Sequence, residues 1–213
     1  MRMRRKPNLD ARVEKCRHLL VADPASLRGK WLSEFKYSEL RIELGCGKGS
    51  FTIETAKTEP EILHVAVEKT ANVLVIALER AEHEGIPNIR FINALAENLQ
   101  NFFASREVAR IYLNFSDPWP GNKQAKRRLT SKGFLEAYGQ ILRHNGEIHF
   151  KTDNLPLFEF SLREFERRGF ILLAEARDLH KNGPAGVMTD YEQKFFSQGL
   201  PIYQCIAQNT ERK

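Results

Sequence analysis

Short apolar runs alternate with longer stretches of helical character along most of this chain. Seven of the runs have the length and the branched or aromatic content that favour buried strands. They are residues 40–44, 62–68, 89–93, 109–115, 147–152, 170–177 and 201–208. The stretches that separate the first six runs predict helices, at residues 51–59, 70–84, 94–103, 131–146 and 155–169.

This order of strands and helices predicts a fold of the α/β class. We expect a Rossmann-like, doubly wound and mostly parallel sheet of seven strands, because the helices serve as crossover connections. A full crossover helix is not apparent before the last strand, so that strand is expected to be antiparallel. Residues 1–30 do not follow the alternation. They are predicted to form a basic N-terminal arm with a short helix, ahead of a single domain at 31–213.

Amino-acid composition indicates the cellular compartment of the protein more clearly than its function. The chain has 33 Lys and Arg against 27 Asp and Glu, a net charge of +6, which suits a polyanionic partner but does not require one. Cys16, Cys46 and Cys205 lie far apart, which argues against a disulfide framework or a zinc site and fits a reducing compartment. No apolar segment of a secretory signal follows the basic N-terminus, and no apolar run could span a bilayer. We expect a cytoplasmic protein without a metal or a membrane partner.

A glycine-rich stretch, IELGCGKGSF at 42–51, lies between the first predicted strand and the helix after it. Gly45, Gly47 and Gly49 there would let a ligand approach the backbone, as in the first turn of nucleotide-binding α/β folds. Their GxGxG spacing differs from the GxGxxG fingerprint that places a pyrophosphate at a helix N-terminus. An adenosyl ligand without phosphate is therefore favoured.

Polar residues at the ends of neighbouring strands extend this prediction. Glu68 ends the second predicted strand and suits ribose hydroxyls, and Asn93 ends the third and suits an adenine edge. Glu43, two residues before the glycine loop, could attract a cationic group. Together these residues resemble the S-adenosylmethionine site of a class I methyltransferase.

The fourth predicted strand leads into LNFSDPWPGNKQAKRRLT at 113–130. Asp117 should lie over the carboxyl edge of the sheet, and Pro118 and Pro120 limit how the loop can move. Trp119 offers a flat face on which a base could stack. A cluster of cations follows: Lys123, Lys126, Arg127 and Arg128.

Four separated motifs, ELGCGKGSF, NFSDPWP…KRRLT, FKTDN and MTDYEQKF, resemble those of the bacterial tRNA (guanine-N7)-methyltransferase family. The resemblance implies cofactor contacts at Glu43, Glu68, Asn93 and Asp117, with Asp117 also the catalytic acid. It implies substrate contacts at Asp153, Thr189, Asp190, Tyr191 and Glu192. The cationic stretch from Lys123 to Arg128 matches the RNA-binding segment of the family.

One position departs from the family pattern. Relatives carry a substrate-contacting lysine after the second proline of the Asp-Pro-Trp motif, whereas this chain has Gly121 there. We assign no role to Gly121, and Lys123 is a candidate to reach the same phosphate or base.

The resemblance implies transfer of a methyl group from S-adenosylmethionine to N7 of a guanine in tRNA, and we expect a monomer or a homodimer. The resemblance implies that the guanine is in the variable loop. Two alternatives remain open, methylation of another planar nitrogen in RNA and RNA binding without catalysis. A nicotinamide-dependent oxidoreductase would share the fold but is disfavoured by the glycine spacing and by the acid-Pro-Trp loop.

Overall fold

The computed structural model of the protein describes residues 7–210. Its seven strands are β1 (Glu39–Leu44), β2 (Ile62–Val67), β3 (Ile89–Ile92), β4 (Val108–Asn114), β5 (Leu142–Thr152), β6 (Ile171–Ala176) and β7 (Tyr203–Gln208). Its α-helices are α1 (Leu9–Lys15), α2 (Trp31–Phe35), α3 (Ser50–Thr58), α4 (Ala71–His83), α5 (Leu99–Phe102), α6 (Lys132–Ile141), α7 (Leu155–Arg167) and α8 (Asp190–Ser197). Short 3-10 turns occur at Arg17–Leu19, Pro24–Leu27, Ala96–Asn98 and Asn122–Arg127.

The strands form a mixed sheet in the order β3-β2-β1-β4-β5-β7-β6. β2 is parallel to β1 and to β3, and β4 is parallel to β5. β7 runs antiparallel to both β5 and β6. The predicted Rossmann-like fold, with its antiparallel last strand, is confirmed.

The described chain divides into two compact units, one ending at Phe103 and the other beginning at Ala104. In the first unit, part of the predicted N-terminal arm packs against the rest. Arg12 donates from Nε and Nη2 to the two carboxylate oxygens of Glu79 on α4, at 2.6 and 2.5 Å. The backbone N–H of Val21 donates to the carbonyl of Phe91 on β3 at 2.9 Å. The cations at the start of the basic arm, Arg2, Arg4, Arg5 and Lys6, lie outside the described residues.

The second unit is built on an aromatic core. Phe150 of β5 packs against Phe158 and Phe165 of α7, with ring centroids 6.4 and 6.5 Å apart. All three rings are fully buried. The apolar face of α7 is thereby fixed on β5, and the polar residues at the carboxyl end of that strand are held with it.

The largest departure from the predicted boundaries in this unit lies between α6 and β5. The helix predicted at 131–146 ends at Ile141, and β5 begins at once with Leu142. Gly146 is therefore a strand residue and not a helix stop. A Cβ at Gly146 would meet the carbonyl oxygen of Arg143 at 2.9 Å, so close backbone approach explains this glycine.

Helix α8 was not predicted, although the sequence contains a signal for it. Thr189 caps the helix through its side chain, which accepts from the backbone N–H of Glu192, and the Glu192 side chain accepts from the backbone N–H of Thr189. This capping box has the sequence T-x-x-E, which could have been recognised without the structure. None of the described helices is long and apolar enough to cross a membrane.

Candidate active site

The glycine loop of the first unit leaves its backbone open. Gly45 and Gly47 have φ of +74° and +58°, a conformation that side chains of other residues rarely adopt. A Cβ built on either residue would meet nothing within 4 Å. Both glycines thus serve the conformation of the loop and leave space beside its backbone for a ligand.

Glu68 organises the polar groups around this loop. Its Oε2 accepts from the backbone N–H of Gly47 at 3.3 Å, and its Oε1 accepts from that of Thr70 at 2.8 Å. Asn93 donates from Nδ2 to the carbonyl oxygen of Glu68 at 2.7 Å. An ionised carboxylate accepts about four hydrogen bonds. Glu68 therefore keeps acceptor capacity for hydroxyl groups, and this bond uses the Nδ2 of Asn93 and not its Oδ1 acceptor.

Two buried carboxylates, those of Glu43 and Glu68, act on this loop, which also carries the exposed cation Lys48. Glu43 is buried and accepts from the hydroxyl of Thr52. Burial is the largest cause that raises the pKa of the Cys46 thiol well above its usual value, and the negative charges of Glu43 and Glu68 raise this pKa further. Cys46 is consequently a neutral thiol, and the same field favours a cationic ligand over an anionic one.

In the second unit, the loop after β4 has a strained backbone on both sides of Asp117. Phe115 and Trp119 have φ of +51° and +42°, which is uncommon for residues other than glycine. Such conformations cost about 1–3 kcal/mol each and persist only where the surroundings hold them. The backbone N–H of Phe115 donates to the carbonyl of Lys151 at 2.9 Å, which fixes the start of the loop to β5. Asp117 itself is exposed.

The cations that follow Asp117 fall into two groups. Lys123, Lys126 and Arg127 are exposed along the 3-10 turn, and their contact with RNA stays a prediction. Arg128 is half-buried, and its guanidinium donates to the carbonyl oxygens of Pro118 and Trp119.

Trp119 was expected to offer its ring to a base. The guanidinium carbon of Arg127 lies 4.9 Å from the centroid of that ring, in a cation–π contact. One face of the indole is thus already covered by a cation, and stacking of a base on Trp119 stays a prediction for the other face.

Asp153 and Tyr191, which are far apart in sequence, meet in the second unit. The Tyr191 hydroxyl donates to Oδ2 of Asp153 at 3.3 Å, and its ring lies 5.0 Å from that of Phe115. Partial burial, and next the carboxylate of Asp153, raise the pKa of the Tyr191 hydroxyl above its usual value. Tyr191 therefore stays a neutral donor beside the strained loop.

Glu192 lies in a buried polar network. Its side chain is fully buried and accepts from Nζ of Lys151 at 2.9 Å and from Nε2 of His180, also at 2.9 Å. Nδ1 of His180 accepts from the backbone N–H of Ala185 at 3.2 Å, which places the ring proton on Nε2. Sequence reasoning gave no role to Lys151 or His180.

The residues expected to contact substrate near α8 therefore differ in exposure. The side chains of Thr189 and Glu192 bond to the protein itself, through the capping box and the buried network. Asp190 and Tyr191 are exposed on the first turn of the helix. A direct contact of Thr189 or Glu192 with substrate stays a prediction. Among the residues that the structure describes, no cluster of His, Cys, Asp and Glu could hold a metal ion.

Comparison with known proteins places the chain among methyltransferases. A family model described as "Putative methyltransferase" matches residues 38–205. The chain is 42% identical over 215 aligned residues to the tRNA (guanine-N(7)-)-methyltransferase of Geobacillus kaustophilus (strain HTA426), with 100% of this chain and 99% of that protein covered. It is 44% identical to the protein of the same name from Geobacillus thermodenitrificans (strain NG80-2), over 97% of both. This chain belongs to the tRNA (guanine-N(7)-)-methyltransferase family. The family resemblance inferred from the four sequence motifs is thereby confirmed.

Solved structures of more distant proteins share the fold. The 16S rRNA methyltransferase KamB has a TM-score of 0.64 at 16% identity, with 98% of this chain and 96% of that chain covered. The aminoglycoside resistance methyltransferase NpmB1 has a TM-score of 0.60 at 17% identity, with 84% and 92% covered. At such identities the likeness establishes the fold alone.

Proposed function

We propose that this protein transfers a methyl group from S-adenosylmethionine to N7 of a guanine in tRNA, giving 7-methylguanosine. The observation that carries the proposal is identity above 40%, over essentially the whole chain, to relatives named for this reaction. Two features of the structure support the proposal, the open glycine loop beside Glu68 and the exposed acid Asp117 that precedes exposed cations. Modification of tRNA also suits the cytoplasmic location expected from the sequence.

The first unit has residues that fit S-adenosylmethionine. The open backbone at Gly45 and Gly47 admits a close ligand, and Glu68 and Asn93 offer oxygen acceptors for ribose hydroxyls and an adenine amino group. The negative field of Glu43 and Glu68 suits a cation. When bound, this cofactor supplies an electrophilic methyl group on a sulfonium.

The substrate nitrogen needs little activation by the protein. Guanine N7 is an acceptor with an in-plane lone pair, so no base has to remove a proton from it. The task of the protein is therefore to align the base and to stabilise the positive charge that develops on the purine ring. We assign the second role to the carboxylate of Asp117, which also accepts from the N–H edge of guanine. Asp153 and Tyr191 are assigned to orientation of the base.

The proposal is tested with purified protein, S-adenosylmethionine labelled in the methyl group, and bulk tRNA lacking the modification. We expect label in tRNA, recovered after digestion as 7-methylguanosine from the variable loop. Label on another base nitrogen would favour the alternative of a methyltransferase with a different target. Stoichiometric tRNA binding without transfer of label would instead support a binding module.

The role of Glu68 predicts a loss of cofactor affinity. Glu68→Gln removes a charged acceptor, and charge-assisted hydrogen bonds contribute about 1.5–3 kcal/mol. We expect the Kd for S-adenosylmethionine, measured by calorimetry without RNA, to rise by roughly 10- to 100-fold. The matched control is Glu61→Gln, on an exposed acid just before β2, which should leave the Kd unchanged. Equal affinities of the Glu68 variant and the control would exclude this contact.

The exposed cations predict a salt-dependent contribution to tRNA binding. Replacing Lys126 and Arg127 with glutamine should weaken binding and reduce the slope of log K against log salt by roughly 1.4–1.8, since each phosphate contact contributes about 0.7–0.9. Arg163→Gln, on the exposed face of α7, is the control and should leave the slope unchanged. A double variant with the wild-type slope would remove these cations from the RNA interface.

A further inference from the structure

Arg128 stands apart from the neighbouring cations because its guanidinium bonds to the protein backbone. Nε donates to the carbonyl oxygen of Pro118 at 3.0 Å and to that of Trp119 at 3.3 Å, and Nη2 donates to the carbonyl of Trp119 at 2.9 Å. The guanidinium carbon also lies 4.3 Å from the ring centroid of Phe160 on α7. The side chain thus connects the loop after β4 to a helix that is anchored in the aromatic core.

The loop needs such a connection for two reasons. Pro118 and Pro120 have no backbone N–H, so this segment offers few donors to fix its own shape. Trp119 has a φ of +42°, a conformation that persists only when the surroundings impose it. The guanidinium supplies planar, preorganised donors to the two carbonyls that follow Asp117.

The other cations of the stretch do not share this arrangement. Lys123 and Lys126 are exposed on the same 3-10 turn, and Arg127 lies over the ring of Trp119. Charge alone therefore does not distinguish residues that have different tasks.

We propose that Arg128 is a positioning residue that holds the Asp117 loop in its reactive shape, instead of a ligand for RNA phosphates. The assignment rests on the proposed function for its effect on methyl transfer, but the clamp itself can be observed without that reaction. Removal of the clamp should release Trp119 from its strained backbone and let Asp117 leave the position from which it acts.

Tryptophan fluorescence provides a direct readout of the loop. The chain has two tryptophans, and Trp31 is fully buried with its indole N–H donating to the carbonyl of Phe102. Acrylamide quenching therefore reports mainly on Trp119. A Trp119→Phe protein gives the signal of Trp31 to subtract.

The experiment compares Arg128→Gln with Lys126→Gln, which removes one exposed charge from the same turn. For Arg128→Gln we expect quenching of Trp119 to increase at least twofold, kcat to fall about tenfold, and the salt slope of tRNA binding to stay as in the wild type. For Lys126→Gln we expect unchanged quenching and a slope reduced by about 0.7–0.9. A reduced slope together with unchanged quenching in Arg128→Gln would overturn the proposal and make Arg128 an RNA ligand.

One further variant and the methyl-transfer assay of the wild-type protein serve as controls. Arg128→Lys preserves the charge but lacks the planar fork, so we expect the same increase in quenching. It replaces Arg128→Gln if that variant does not fold, and wild-type quenching and kcat in the lysine variant would also overturn the clamp. If wild-type protein transfers no methyl group to tRNA, the proposed function fails, while the quenching comparison still decides the clamp.

Discussion

Asp117→Ala is expected to lower kcat for methyl transfer to tRNA by about 10²- to 10³-fold, the effect typical of removing one preorganised electrostatic partner of a transition state. The reason is that positive charge develops on guanine as the new bond forms, and an ionised carboxylate held beside the ring stabilises it. The positive φ of Phe115 and of Trp119 costs folding free energy, which indicates that the surrounding structure holds the loop in this one conformation. Single-turnover rates with labelled cofactor and saturating tRNA measure the effect on chemistry.

The fold should tolerate this substitution. Asp117 is exposed, and substitutions at exposed positions usually change the free energy of unfolding by no more than about 0.5 kcal/mol. Asp117→Asn is the matched variant, because it keeps the size of the side chain and one acceptor oxygen but removes the charge and replaces the second acceptor with a donor. If charge stabilisation dominates, the asparagine variant should lose nearly as much kcat as the alanine variant. Wild-type turnover in Asp117→Ala would reject the assignment.

Lys151→Met is expected to lower the free energy of unfolding by about 3–5 kcal/mol, the range for removal of one partner of a buried ion pair. The ammonium group of Lys151 and the carboxylate of Glu192 are almost completely shielded from water, with exposures of 7% and 0%. Methionine would leave the carboxylate buried with only His180 and a backbone N–H as partners. Urea unfolding, followed by circular dichroism, measures the loss.

A double variant separates the charge from the packing. Lys151→Met combined with Glu192→Gln leaves no unpaired charge, and the amide oxygen can accept from His180. The amide NH2, however, then faces the backbone N–H of Thr189, and the capping box is lost. We expect the double variant to recover part of the stability lost in the single variant. Lys194→Met, an exposed lysine of the same helix, is the control and should change stability by no more than about 0.5 kcal/mol. A Lys151 variant as stable as this control would show that the pair contributes nothing.

The buried pair also bears on the substrate side of the reaction. The backbone of Lys151 contacts the start of the Asp117 loop, because its carbonyl accepts from the backbone N–H of Phe115. The side chain of Lys151 bonds to Glu192 in the first turn of α8. That turn carries Tyr191, which bonds to Asp153. We therefore expect loss of the pair to disturb the orientation of the base as well as the stability of the fold.

Local patterns in the sequence determined most of the architecture. Alternation of apolar strands with helices predicts the mixed sheet, because each element must bury its apolar face on the next. The glycine spacing and the strand-end acids predict the cofactor cradle, since the carboxyl ends of parallel strands share one edge of a sheet. The extent of α6 could not be predicted in this way. Residues 142–146 have a helical pattern, but Leu142 begins β5, and tertiary pairing with β4 overrides local propensity.

Only the tertiary structure decides which of several residues of the same type are exposed and which bond to the protein itself. Lys126 and Arg128 are similar cations in the sequence, yet Lys126 is exposed and Arg128 bonds to carbonyls nine and ten residues earlier. Glu192 resembles a substrate-binding acid, but it is buried against Lys151, which lies 41 residues before it. The sequence by itself determined the fold, the family and the set of charged residues. The role of each charge depends on its burial and on its partners, which packing between distant segments brings together.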